Sequence, residues 1–155
     1  MTRPIAFLSL LAALATTVLS VSEARADRCD DLARQLASQV DGLSVGRAAA
    51  NVIYLAHPAA KQVRLGCASR HVRNEFYAAS DTRKPSPAFI NLVASGAAIA
   101  FTIPKQDTLK GASRCLGRMG IFRGDDVKMR FRRLDMRCTR SKHSATIAIS
   151  RGNDE

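Results

Sequence analysis

Phe89, Leu92, Val93, Gly96, Ala100 and Ile103 recur at steps of three and four residues, in a stretch with no charge between Lys84 and Lys105. That spacing predicts a helix with one continuous apolar face, and Ala97 and Ala98 on its flanks allow close approach of a neighbouring layer. Ser86 stands where a hydroxyl caps a helix, Pro87 occupies the first turn, where a missing N–H costs nothing, and Pro104 stops the helix from continuing. The rival for this stretch is a membrane span. Between the prolines lie about 17 helix-competent residues, the lower edge of what crosses a bilayer, and Asn91, Ser95, Thr102 and many alanines keep it only mildly apolar. A buried core helix is therefore the expectation, with no transmembrane span after the N-terminal leader.

On either side the period changes. Leu32, Ala33, Leu36, Ala37 and Val40 repeat at helical spacing behind Asp27, Asp30 and Asp31, whose charge suits a helix N-terminus, and Gly42 closes this first helix. Val52 to Leu55 is a β-branched and aromatic run, His57-Pro58-Ala59-Ala60 is a turn, and Val63, Leu65 and Cys67 alternate with Gln62, Arg64 and Gly66. These two runs predict a hairpin. Phe76 to Ala79 predicts a short third strand. Thr108 to Gly120, glycine-bearing and basic, matches neither period.

Further on, Val127, Met129 and Phe131 alternate with Lys128, Arg130 and Arg132, after which Leu134, Met136 and Cys138 alternate in the opposite phase. Side chains change face at every strand residue, so both apolar sets reach one core only across a bulge or a break at Arg132-Arg133. Thr146 to Ile149 returns as a last strand. The expected fold is α+β, a small antiparallel sheet packed against one central helix with an additional N-terminal helix. No repeat or linker divides residues 27–155, which are read as one domain.

Residues 1–26 carry the three parts of a secretory signal: a positive start at Arg3, an apolar run from Ile5 to Val21, and the small-x-small ending Ala24-Arg25-Ala26. The protein is expected to be exported, periplasmic or extracellular. Its four cysteines, Cys29, Cys67, Cys115 and Cys138, all lie after the leader, and an even count in a small exported domain predicts two disulfides. Four cysteines allow three pairings. The pairing favoured here is Cys29 with Cys67 and Cys115 with Cys138, which ties a preceding segment to a following strand within each half of the chain. A zinc site is disfavoured by the lack of any C-x-x-C pair or histidine at ligand spacing, and no other cofactor motif is present.

Charge adds the one functional hint. The full chain carries a net +11; removing the leader takes away Arg3, Arg25 and Glu23 and leaves 22 basic against 12 acidic residues, a net +10. Residues 105–142 hold +8 of it. On a strand, Lys128, Arg130 and Arg132 would stand in a row at intervals of about 6.6 Å, and with Arg133 and Arg137 they form the candidate binding surface. Its possible partners are anionic lipid, lipopolysaccharide, a cell-wall polymer or an acidic protein; a solvated face that keeps the protein soluble is the plain alternative. Nucleic acid is disfavoured, because only seven aromatic residues follow the leader and Phe89, Phe101 and Phe131 read as core.

No catalytic residue stands out. His57, His71 and His143 sit in or beside predicted turns, the cysteines are spent on disulfides, and there is no G-x-S-x-G. Of the acidic residues only Glu75 and Asp135 fall on predicted strands. The sequence thus describes a small exported binding or accessory protein of the cell envelope, with a small secreted hydrolase acting on a cell-wall or polyanionic substrate as the alternative.

Overall fold

A computed structural model describes residues 23–68, 74–120 and 124–151. Three helices lie on one face of a seven-stranded antiparallel sheet: α1 (Glu23–Gln39), α2 (Pro87–Phe101) and α3 (Lys105–Gly117), with strands β1 (Ser44–Ala49), β2 (Val52–His57), β3 (Ala60–Gly66), β4 (Glu75–Ser80), β5 (Asp126–Phe131), β6 (Leu134–Arg140) and β7 (Ala145–Arg151). The spatial order is β1-β2-β3-β4-β7-β6-β5. The helical pair α2–α3 carries the chain from central β4 to the far edge, and the last two hairpins bring it back to close the sheet against β4.

Period-two alternation puts Ile53, Leu55, Val63, Leu65, Phe76, Leu134, Met136, Ile147 and Ile149 on the helix side, where all are buried in a single core. α2 is built as its sequence dictates. Ser86 Oγ accepts the Phe89 N–H at 3.2 Å, Pro87 opens the first turn, and Thr102 ends the helix in the left-handed region with φ of 53°. Its face of Phe89, Leu92, Val93, Gly96, Ala97 and Phe101 is buried, while Ala100 and Ile103 are only half-buried. No helix among the described residues is long and apolar enough to cross a membrane.

The single central helix is corrected to a layer of three. The unassigned segment after Pro104 is α3, whose buried residues are Thr108, Gly111, Ala112, Cys115 and Leu116. Thr108, Ala112, Cys115 and Leu116 do recur at helical spacing on its buried face, a short stripe interrupted by Gly111 and flanked by basic residues. Thr108 Oγ1 lies 2.8 Å from the Ala94 carbonyl oxygen and 2.9 Å from that of Lys105, fastening α3 to α2. The sheet is also larger than expected, because β1 is wholly exposed and shows no apolar alternation.

The phase change at Arg132-Arg133 is a break. Phe131 pairs with Leu134 across a two-residue turn, and Arg132 takes a φ of 56°. β5 and β6 can then both direct their apolar residues inward. The β1–β2 hairpin turns through Ala50 and Asn51, both at positive φ, which matches the right-handed strand twist but costs a non-glycine residue at Ala50.

Both disulfides have the expected pairing, Cys29–Cys67 and Cys115–Cys138. One fastens α1 to the end of β3 and the other fastens α3 to β6, so each staples a helix to the sheet. For sequence separations of 38 and 23 residues, loop closure in the unfolded chain gives each bond on the order of 3–4 kcal/mol. Two such bonds belong to an oxidising, non-cytoplasmic compartment. The expected cut after Ala26 falls in the first turn of α1. Residues 1–22, His71, Arg123 and the tail 152–155 lie outside the described residues.

Candidate functional site

With the helices on one side, the other side of the sheet is open. The register aligns its side chains in rows across the strands. One row runs Tyr54, Arg64, Tyr77, Ala148, Arg137, Lys128; the next runs Gly66, Glu75, Ser150, Asp135, Arg130. Over β4 to β5 these rows form a shallow groove of about 520 Å³, floored by Ala148 and Ser150 and lined by Glu75, Lys128, Arg130, Asp135 and Arg137. Small residues on β7 between longer ones on β4 and β6 make the hollow.

The five expected cations do not share one face, and the expected row of Lys128, Arg130 and Arg132 loses its last member. Lys128, Arg130 and Arg137 do share the open face. Arg132 leaves it: the turn conformation swings it to Asp107 in the first turn of α3, with Nη2 at 3.2 Å from Oδ1. Arg133 is the second residue of the same turn and exposed. Arg137 is directly opposite Lys128, a like-charge pair that repels, and it reaches along to Asp126 instead, with its Nε and Nη2 donating to the two carboxylate oxygens at 3.0 and 2.6 Å. That fork holds the Asp126 carboxyl below its ordinary pKa, mainly through the Arg137 hydrogen bond and then through its charge and that of Lys128.

Other basic residues of the run are structural. Arg140 donates to the carbonyl oxygens of Leu116 and Met119, both at 3.3 Å, capping the C-terminal end of α3. Arg114 stacks over the Phe131 ring at 5.3 Å. The +8 of residues 105–142 is therefore spread over helix, turn and sheet. What faces the groove is mixed in sign, three cations with Glu75 and Asp135 between them and Asp126 at the rim.

Sequence reasoning missed the other half of the open face. Arg64 lies flat over the Tyr77 ring, 3.9 Å from its centroid, and Arg47 lies over Tyr54 at 4.9 Å. The β1 bulge between Val45 and Ala48 brings Arg47 there. Arg64 is half-buried and its Nε is buried with no hydrogen-bond partner among the described residues. The hairpin hid this pairing: a turn that sets His57 opposite Ala60 would carry on to Tyr54 opposite Val63, and it is the register shift between Leu55 and His57 that brings Tyr54 opposite Arg64.

Neither described histidine, His57 or His143, marks a site. His57 Nδ1 accepts the Ala59 N–H at 3.0 Å, so Nε2 is the donor to the Asp41 carbonyl oxygen at 2.9 Å, and the residue pins the β2–β3 turn to the chain after α1. His143 is exposed in the β6–β7 turn. All four cysteines are in disulfides, and no three potential metal ligands gather among the described residues. Set beside known proteins, the chain matches no family model, and no curated protein or solved structure is similar enough to it to register as a relative.

Proposed function

We propose that the protein is an exported, non-catalytic binding protein that holds an anionic partner on the open face of its sheet, with Lys128, Arg130 and Arg137 among the contacts. The observation that carries this reading is the division of the sheet. One face is sealed by three helices and two disulfides, and the other presents an uncovered groove with cations on its lining. A rigid scaffold with one bare, charged side suits binding by electrostatics and hydrogen bonds.

Immobilised heparin, a generic polyanion, is the probe. Retention should weaken steeply with salt, because exposed charges lose their reach as the screening length shrinks to about 10 Å at 0.1 M. Lys128→Glu with Arg130→Glu should release the protein at lower salt, while Lys105→Glu with Lys110→Glu, the same change of net charge on the helix side, should not. Equal effects from the two pairs would reduce the attraction to bulk charge, and retention indifferent to salt would end the proposal.

The second reading, a small secreted hydrolase, draws on one arrangement. Glu75 and Asp135 stand on one row with Ser150 between them. Two strand spacings separate them by about 10 Å, close to the span of paired carboxylates that admit a water. Both are exposed, whereas an acid catalyst of that type needs an apolar enclosure. Turnover of a polysaccharide that vanishes in Glu75→Gln would establish this reading over the first.

A further inference from the structure

The row on β1 to β4 adds cations held by aromatic rings to the one the groove holds by an ion pair, Arg137. We infer that Arg47, Tyr54, Arg64 and Tyr77, continued by the groove, form the seat of an acidic polysaccharide, a chain of sugars bearing carboxylates and free hydroxyls, laid across the strands. This names the partner class for the open-face binding proposed above and rests on it.

The first argument is preorganisation. An exposed arginine loses rotamer freedom when it binds, but a guanidinium stacked on a tyrosine has given up much of it already. Arg64 has its Cζ over the Tyr77 ring and its Nε buried, so the donors left for a ligand are its terminal nitrogens. Arg47 over Tyr54 repeats the device two strands away. The two ring platforms are thus about 10 Å apart on a line perpendicular to the strands. That line suits a linear polymer with spaced anions.

The second argument is the mixture of signs. Glu75 and Asp135 lie one row along from this line. They would repel a ligand made only of phosphate or sulfate groups. Sugar hydroxyls donate hydrogen bonds to carboxylates, while uronate carboxylates accept from arginine, so an acidic sugar chain satisfies both kinds of group.

The third argument separates this ligand from the competing polyanions. Each tyrosine ring already carries a guanidinium on one face, which leaves at most the opposite face of each for a nucleobase. A membrane surface calls for apolar side chains that insert, and among the described residues Val45, at the sheet edge and 44% exposed, is the one exposed large hydrophobic.

The test uses the disulfide-bonded chain and oligoalginate, an oligomer of uronic acids, followed by titration calorimetry at low salt. Dextran, single-stranded DNA and phosphatidylglycerol vesicles serve as neutral, nucleic-acid and membrane probes. Oligoalginate should bind and dextran should not. Arg64→Gln, and independently the edge-strand variant Arg47→Gln, should each weaken oligoalginate by about tenfold, the scale of one charged hydrogen bond, with the thermal midpoint lowered by no more than the loss of one cross-strand pair brings. Unaltered binding in both variants would overturn the proposal. Salt-sensitive binding to heparin, DNA or vesicles with none to oligoalginate would also overturn it while leaving the open-face reading intact. If no polyanion binds at all, both fall.

Discussion

The two faces of this sheet use the same backbone for opposite purposes. On the inner face, Phe76 is fully buried beneath α2, and Gly96 makes room for its ring. One residue further along β4, Tyr77 points outward and supports Arg64. Inner positions are fixed by shape and loss of water, so their substitution should be read in stability. Outer positions are held by stacking and ion pairs in solvent, so their substitution should be read in binding.

The largest expected effect tests that division on adjacent residues. Phe76→Ala removes a fully buried ring from the middle of the core and should cost about 3–5 kcal/mol in denaturant unfolding, a large share of a domain's total stability. Tyr77→Ala should cost about 1 kcal/mol, the scale of a cross-strand pair, yet should impair anion binding by freeing Arg64 from its platform. Comparable losses from the two would show that the open face is part of the fold's support, and the distinction between the faces would collapse.

A smaller effect probes how tightly the helix layer is seated. In an ordinary helix Gly→Ala gains about 1 kcal/mol. At Gly96 an added Cβ would come within 2.2 Å of Phe76 Cζ and 2.5 Å of Cε2, atoms of a rigid and enclosed ring. Gly96→Ala should therefore destabilise by about 1–3 kcal/mol despite its better propensity. Gly111→Ala in α3 meets the Met136 Cε at 2.6 Å, the far end of a flexible side chain, and Phe131 Cδ1 at 3.0 Å, and should cost less than Gly96→Ala. Stabilisation at Gly96 would mean that α2 sits further from the sheet than its contacts require.

What could be read from the chain follows the same division. The inner face was legible because burial writes a period into the sequence: 3.6 in Phe89 to Phe101, two in Val63 to Leu65 and Met136 to Cys138. The disulfide pairing was one choice among three, which the placement of those elements favoured without deciding. α3 was missed although Thr108, Ala112, Cys115 and Leu116 recur at helical spacing, because Gly111, Gly117 and the basic residues among them argue for a loop, and β1 because Ser44 to Ala49 buries nothing. On the open face no apolar period exists. A run of cations along β5 suggested a row, but Arg132 belongs to a turn and Arg137 to Asp126, which only the cross-strand register reveals. The Arg64–Tyr77 stack joins residues from two strands and is invisible to any pattern read along one of them.

The smallest effect concerns that Asp126–Arg137 fork. Its depressed carboxyl binds protons less readily in the folded protein than in the unfolded one, so it adds stability above the ordinary carboxylate range and surrenders it as pH falls through the lower, folded value. Asp126→Asn should flatten the acid side of the stability profile slightly, below about pH 4, and leave the neutral side almost unchanged, since both partners are exposed. The same substitution releases Arg137 beside Lys128 and raises the net charge by one. Heparin retention at neutral pH should then rise above wild type even as stability stays level. If retention falls instead, the fork is what positions Arg137 for its ligand, and Asp126 is a positioning residue of the open face.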